Sequence, residues 1–507
     1  MFDLGTSFLA SVARDPDALA VVDGGTRLTY AEWLARIGAL VDELDRLGLK
    51  HGDHVLTAMQ NRWENASLHW ACQFAGLIVT PLNWRAKPDE VDYGVKDAEA
   101  KAVFFEAATA DVVDAAPAAT HLPRVSDGDL AQIMDRSGDE PAPRAGADDW
   151  SLMLYTSGTT SKPKGVPRRH RAERAGALAH VAQNLYRHGE TTLGVMPLYH
   201  TMGVRSLIAS SLTGGAFICL PRFDARKAID LIEAERITNL YLVPTLYHDV
   251  LHHASFSPER VRSVTKLGYA GASMTDGLLK KLDEAFKPEL FVNHYGSSEI
   301  YTFTIEQKAA AKPGSAGRAG INQMIRVVKL NAAGPDELAA PREEGEIIAL
   351  AKSDEAFEGY WKRPAATEKA LRGGWYFTGD TGFFDEDGDL FVTGRADDMI
   401  ITGGENVSPV EVESCLSLHD NVAEVAVVGL PDERWGQVVT AFVKRKGDLT
   451  AAQLDEHCKA SGLANFRRPR RIVFVEEIPK SPVGKILRRM LVAGDYREEA
   501  PAPEHQN

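Results

Sequence analysis

Between Leu34 and Leu47 the apolar positions Leu34, Ile37, Leu40, Val41, Leu44 and Leu47 fall three or four apart, and the run stops beside Gly48. That spacing predicts a helix with one buried face. Before it, Ala20–Val22 and Leu28–Tyr30 flank Asp23-Gly24-Gly25, a hairpin pattern. After it, Val55–Met59 and Ala102–Phe105 predict strands, and Ala66–Phe74 a buried helix. Strands alternating with helices imply a largely parallel sheet covered on both faces. A stretch rich in Gly, Asp, Pro and Ala (127–148) predicts a linker.

The alternation continues with a strand at Leu152–Tyr155 and a helix near 170–186. A strand then ends in Met196-Pro197-Leu198-Tyr199-His200, and a helix is expected at Ala225–Glu235. Asn239–Val243, Lys266–Ala270 and Leu290–Asn293 are further strands, two of which run into small polar turns, Gly271-Ala272-Ser273 and Tyr295-Gly296-Ser297-Ser298-Glu299. In open α/β sheets, ligands bind at such carboxyl ends of strands. From Gly345 the texture becomes β-rich, with an Asp-Gly hairpin turn inside Phe383–Val392. Past Arg395 the remaining residues read as a small α+β domain, whose first helix has Ser408 as N-cap, Pro409 at N1 and Glu411 at N3. The expected fold class is therefore α/β. A large N-terminal domain, 1–396, of mostly parallel sheets covered by helices carries a small β unit at about 315–396. A small α+β C-terminal domain follows at 397–507.

Composition narrows the functions. At 507 residues the chain exceeds one ordinary domain, and 44% hydrophobic with 25% charged residues is ordinary for a globular protein. A net charge of −14 favours neither nucleic acid nor an anionic membrane as partner. No apolar run approaches the roughly 18 residues of a membrane span, and the N-terminus lacks a basic start before an apolar stretch. Cys72, Cys219, Cys415 and Cys458 are scattered, without metal or disulfide spacing, which suits a reducing compartment. The expectation is a cytoplasmic protein without stable membrane insertion.

Chemistry concentrates after the strand at Leu152. Thr156, Ser157, Gly158, Thr159, Thr160 and Ser161 carry five hydroxyls and a glycine, and Lys162 and Lys164 follow. Hydroxyls and exposed N–H groups suit phosphate oxygens, and Gly158 permits close approach. A polar surface turn is the plainer reading, and no Gly-Lys-Ser/Thr follows at the spacing of an NTPase P-loop. Four further motifs occur in order: YGSSE at Tyr295–Glu299, TGD at Thr378–Asp380, GRADDMIITGGEN at Gly394–Asn406, and PKSPVGKILRR at Pro479–Arg489. Together with TSGTTSKPKG they resemble the adenylate-forming superfamily of acyl-CoA synthetases, adenylation domains and luciferase, over nearly the whole chain. MPLYH at Met196–His200, DERWGQ at Asp432–Gln437 and NFRRPRR at Asn465–Arg471 narrow the likeness to aryl-acid ligases such as 4-chlorobenzoate–CoA ligase. The chain departs from that pattern at Ser161, usually Gly, and at Val483-Gly484, where Ser/Thr-Gly is commoner; neither change removes a charge.

The resemblance implies a two-step reaction: a carboxylate attacks the ATP α-phosphate to give an acyl-adenylate, then the CoA thiol displaces AMP. By similarity Thr156, Ser157, Gly158, Thr159, Thr160 and Lys164 hold the β- and γ-phosphates. Ser297 reaches the α-phosphate, and Glu299 helps hold Mg2+. Gly271, Ala272 and Ser273 pass along the adenine, Asn293 meets its edge, and His294, Tyr295 and Gly296 complete that wall, with Tyr295 stacking. Asp380 accepts the ribose hydroxyls, and Arg395 supports the ribose. Lys485 bridges the substrate carboxylate and the α-phosphate. Asp397 is the hinge about which the small domain turns between half-reactions. Gly403, Gly404 and Glu405 then join the pantetheine tunnel, Trp435 and Phe466 contact the CoA adenine, and Arg468 and Arg470 its phosphates; a solvated basic face is the plainer reading of Arg467–Arg471.

For the acid, the resemblance lines a pocket with Ala179, His200, Thr201, Met202, Tyr241, Gly271, Tyr295, Gly296, Ile300 and Tyr301, His200 standing as a gate beside the carboxylate. Aromatic and Met walls suit a compact ring, with Tyr241 and Thr201 offering hydroxyls to a polar ring substituent. The expected partners are a small aromatic or alicyclic carboxylic acid, ATP and CoA, with no nucleic acid, and a homodimer is left open. Alternatives are a medium-chain fatty acyl-CoA synthetase, an adenylating enzyme serving another acceptor, and a nucleotide sensor without catalysis.

Overall fold

The computed structural model describes residues 1–156, 162–395, 398–481 and 484–499. Two large sheets and one small sheet organise them. The first runs in the order Arg124–Ser126, Ala102–Phe105, His54–Ala58, Ile78–Pro81, Trp150–Thr156, Lys164–Arg169. It is parallel up to its last pair, where Thr156 faces Lys164 across an antiparallel ladder. Its strands His54–Ala58 and Ile78–Pro81 are buried along their whole length, as a sheet covered on both faces requires.

The second sheet contains the parallel strands Ala216–Cys219, Thr191–Gly194, Asn239–Leu242, Lys266–Tyr269 and Leu290–Tyr295. Beyond Leu290–Tyr295 it turns antiparallel through Thr304–Glu306 and Ser315–Ala319, then continues into Leu390–Arg395, Trp375–Phe384, Gly345–Leu350 and Ile325–Lys329. The expected β unit is thus hydrogen-bonded to the large sheet rather than set apart. The third sheet gathers Ile400–Thr402, Glu405–Val407, Val422–Asp432, Gly436–Arg445 and Arg471–Phe474. The whole is a mixed α/β fold, a large sheet-based N-terminal part and a smaller C-terminal one.

Local chemistry explains most elements. Thr29 caps the helix Tyr30–Arg46 in a reciprocal box with Glu32. Tyr30, expected at a strand end, therefore opens that helix, and its ring is fully buried. Within the expected linker, Ser126 and Asp129 form the same kind of box and start the helix Asp127–Met134, which buries Leu130, Ile133 and Met134. Ser408 caps Pro409–Ser417 through the Glu411 N–H, as its sequence predicts. All four cysteines are buried free thiols. Among the described residues, no helix is long and apolar enough to cross a membrane.

Candidate active site

The strands Asn239–Leu242, Lys266–Tyr269 and Leu290–Tyr295 end side by side, and their loops form one floor. Gly271, at φ +83°, lies on it; a Cβ there would stand 3.3 Å from Lys485 Cε and 3.4 Å from Val243 Cγ1. The lysine stem thus packs onto a backbone that only glycine leaves open. Lys485 arrives on a tight loop. Ser481 N–H donates to the Lys485 carbonyl at 2.7 Å, and Lys485 N–H to Ser481 Oγ at 3.1 Å. Thr245 Oγ1 donates to the Gly484 carbonyl at 2.9 Å, docking that loop on the large domain.

Around the lysine head lie Asp380, Glu299 and Arg395. Asp380 and Arg395 face each other across one ladder, with Arg395 Nε 3.2 Å from Asp380 Oδ1. Tyr295 Oη donates to Asp380 Oδ2 at 2.7 Å. Burial raises the Asp380 pKa against the opposing pull of Arg395, Tyr295 and Lys485. Burial also lowers that of Lys485; Arg395 adds to the effect, and Asp380 and Glu299 resist it. Glu299 is buried, and its Oε1 accepts from Tyr360 Oη at 2.8 Å. Lys164 Nζ stands 4.2 Å over the Tyr360 ring, which brings the end of the hydroxyl-rich loop to the same place.

Three cations, Lys164, Arg395 and Lys485, therefore meet two carboxylates, a balance suited to a polyphosphate. Glu299 fits magnesium: it is a hard oxygen donor with one oxygen already oriented by Tyr360, and Mg2+ is commonly held by one or two carboxylates plus substrate phosphates. Ser297 Oγ accepts the N–H groups of Glu299 and Ile300 at 3.2 and 3.3 Å, fixing the turn. Asn293 spends an amide hydrogen on the Ser315 carbonyl at 2.8 Å. Ala272 and Ser273 follow Gly271 in the loop after Tyr269, and Gly296 closes against the Tyr301 carbonyl. Ser157, Gly158, Thr159, Thr160 and Asp397 lie outside the described residues.

Of the expected acyl wall, Met202 lies near Gly271, and Tyr241 and Tyr301 share Arg205. His200 caps the helix Thr201–Leu212, its Nδ1 accepting from Met202 N–H at 3.3 Å. Burial, with Lys485 and Arg205 nearby, pushes its pKa down to about 3, so the ring is neutral and its hydrogen sits on Nε2. Met202 Sδ lies 3.8 Å from a Cβ placed on Gly271. Ala179, Ile300, Tyr301 and Tyr241 are buried. The Tyr241 hydroxyl, expected to face a ring substituent, instead accepts from Arg205 Nη2. Tyr301 Oη donates to Glu173 at 2.9 Å.

The CoA candidates collect on the small domain. Gly403 N–H donates to the Trp435 carbonyl at 2.9 Å, and its Cα lies against the indole. Gly404 and Glu405 continue that turn. The Arg470 guanidinium lies 4.4 Å from the Trp435 ring centre. Arg468 turns to Asn465 and Asp455, and Phe466 packs on the small core. Among the described residues no hydrogen bond or ion pair joins this group to Lys485, Asp380 or Glu299.

Sequence reasoning missed Tyr360 and Arg205. Each is a single residue without a motif: Tyr360 reads as a buried aromatic in Gly359-Tyr360-Trp361, and Arg205 as a polar break in an apolar helix.

A hydroxyl-rich segment ending at Lys164, a lysine from a second domain, a ribose-type acceptor and a magnesium-type carboxylate define an enzyme that activates a substrate with ATP. The chain belongs to the AMP-binding enzyme family: the model of that name matches residues 8–361, and that of the AMP-binding enzyme C-terminal domain matches 411–485. It is 35% identical over 506 residues to a 4-chlorobenzoate–CoA ligase of Arthrobacter, covering 97% of this chain and 96% of the relative. It is 33% identical over 503 residues to the long-chain-fatty-acid–CoA ligase FadD13 of Mycobacterium tuberculosis, covering 97% and 98%. The crystal structure of ATP-bound MatB from Rhodopseudomonas palustris matches with a TM-score of 0.87 at 29% identity, covering 97% and 99%. The protein is an AMP-forming acid–thiol ligase, an acyl- or aryl-CoA ligase that uses ATP, Mg2+ and CoA.

Proposed function

We propose that this ligase activates a small aromatic or alicyclic carboxylic acid. The observation that carries the reading is Lys485 packed on Gly271 beside Asp380, Glu299 and Arg395, with Met202 against the same glycine and Tyr241, Ile300 and Tyr301 buried. The acid enters with its carboxylate toward Lys485 and neutral His200. Lys485 draws together the carboxylate and the α-phosphate oxygens, spreading the charge that builds as the oxygen attacks phosphorus; this is orienting and electrostatic work rather than proton transfer. Asp380 fixes the ribose, Lys164 and the hydroxyl loop hold the leaving pyrophosphate, and Glu299 would hold a magnesium ion, which would supply charge neutralisation there. Trp435, Arg468 and Arg470 then receive CoA. Four buried free thiols suit work in the reducing cytoplasm.

A second reading, a fatty acid substrate, is favoured by the likeness to the long-chain ligase. Acid-dependent ATP–pyrophosphate exchange and thioester formation, screened over benzoates, cyclohexanecarboxylates and C4–C12 fatty acids, decides between them. Benzoates or cyclohexanecarboxylates should give the highest kcat/KM; a long chain in first place overturns the ring reading.

A further inference from the structure

Beneath the acyl wall lies a guanidinium that the ligase reaction itself does not use. Arg205 sits on the helix Thr201–Leu212 and is 2% exposed. It shares a helix face with Thr201 and Met202, four and three residues earlier. Met202 lies at the Gly271–Lys485 end, and Arg205 stands about 4.5 Å further along the same helix. That step matches the distance from a ring's carboxyl-bearing side to its far side.

Its bonds leave a vacancy. Nη1 donates to the Tyr301 carbonyl at 3.2 Å and to Thr302 Oγ1 at 2.8 Å, and Nη2 to Tyr241 Oη. All three acceptors are neutral. Nε is buried and has no partner. Glu355, whose Oε2 is itself buried and unpartnered, shares the Thr302 hydroxyl with Arg205 but brings no carboxylate oxygen to ion-pair distance of it among the described residues. The neighbouring Arg168 is by contrast paired with Glu173 at 2.7 Å. A buried guanidinium with an idle donor is costly, because an N–H removed from water without an acceptor forfeits a hydrogen bond.

A second idle group stands beside it. The rings of His180, Tyr241 and His294 lie 4.7–5.2 Å apart. Asn184 Nδ2 lies 3.0 Å from His180 Nδ1 and 2.8 Å from the His180 carbonyl, and His294 Nε2 lies 3.2 Å from Asn184 Oδ1. Asn184 Nδ2 also lies 3.0 Å from His294 Nε2, and His180 Nε2 is buried and unpartnered. Two unpartnered nitrogens, Arg205 Nε and His180 Nε2, thus flank Tyr241.

We infer that the acid carries a hydrogen-bond acceptor on the side opposite its carboxylate, and that Arg205 selects for that group. The acceptor is a ring oxo group or a second carboxylate. Arg205 is a specificity residue; the chemistry at the α-phosphate does not involve it. The inference rests on the ligase reading above.

Matched pairs of acids test it. The neutral arm compares 4-oxocyclohexanecarboxylate with cyclohexanecarboxylate, and the anionic arm compares terephthalate with 4-methylbenzoate. In at least one arm the acceptor-bearing acid should exceed its partner tenfold or more in kcat/KM for acid-dependent ATP–pyrophosphate exchange, and the arm that does so names the acceptor. Arg205→Met should bring that ratio close to one, and Arg205→Lys should retain part of it. Preference for the hydrocarbon partner in both arms overturns the inference without a variant. So does an Arg205→Met protein in which both acids fall by one factor and the ratio survives, the mark of a structural arginine. Exchange driven by no acid at all defeats the ligase reading as well, and so is distinguishable from either result.

Discussion

Lys485 is held between burial, which disfavours its charge, and two carboxylates that restore it. Lys485→Ala should cost roughly 10²–10³-fold in adenylation, the scale of one lost transition-state donor. Thioester formation from supplied acyl-adenylate should change little; equal loss in both half-reactions would remove Lys485 from the chemistry. The pH profile follows from the direction of its shift. A lowered pKa means the ammonium is lost below the ordinary lysine range as pH rises, so the alkaline limb of adenylation should begin earlier than for a free lysine. His200, neutral down to about pH 3, contributes no limb near neutrality. At this scale the sequence was informative where chemistry is written contiguously, as at Tyr295–Glu299, Thr378–Asp380 and around Lys485. Tyr360 and Arg205 escaped because each acts alone, through a partner distant in sequence, Glu299 or Tyr241.

The loop that delivers this lysine depends on one glycine. Gly484 has φ +80°, and a Cβ there would strike Thr245 Oγ1 and crowd Val243 Cγ2 at 2.9 Å. Gly484→Ala pairs a left-handed backbone, costing about 1–2 kcal/mol outside glycine, with a clash at the docking bond to Thr245. Adenylation should fall about tenfold or more with little change in melting temperature, since the loop is only partly buried; an unchanged exchange rate would show that the lysine reaches its place without this seat. Other elements were legible to the extent that their signals were local. Ser408-Pro409 and the Asp-Gly hairpin are short-range patterns, and they hold. The 127–148 stretch reads as linker by composition, yet the Ser126–Asp129 box and three buried side chains make a helix of its start. The continuity of the β unit with the large sheet rests on pairings such as Ser315 with Phe391, which no local pattern encodes.

The molecule as a whole presents one arrangement of its two parts, and under the proposed roles that arrangement serves the first half-reaction. Lys485 is in the nucleotide site, while Gly403, Trp435 and Arg470 keep to themselves on the small domain. If CoA is to reach the adenylate through those residues, the small domain must turn, and the seam seen here must open. That seam includes Thr245 with Gly484, His248 Nε2 3.1 Å from the Ala423 carbonyl, and the helix Asp276–Phe286 against Pro409–Ser417. Gly277 lies in this last contact, far in sequence from every residue assigned to the chemistry, and a Cβ on it would collide with the Ser417 carbonyl. Alanine suits a helical backbone better than glycine by up to about 1 kcal/mol, so Gly277→Ala leaves its own helix intact and wedges the two parts apart. Adenylation should drop severalfold, while conversion of supplied acyl-adenylate and CoA to thioester should hold or quicken. Both rates are measurable on the same preparation. A wedge that slowed the two half-reactions alike would mean that one arrangement performs both, and the rotation would have no work to do.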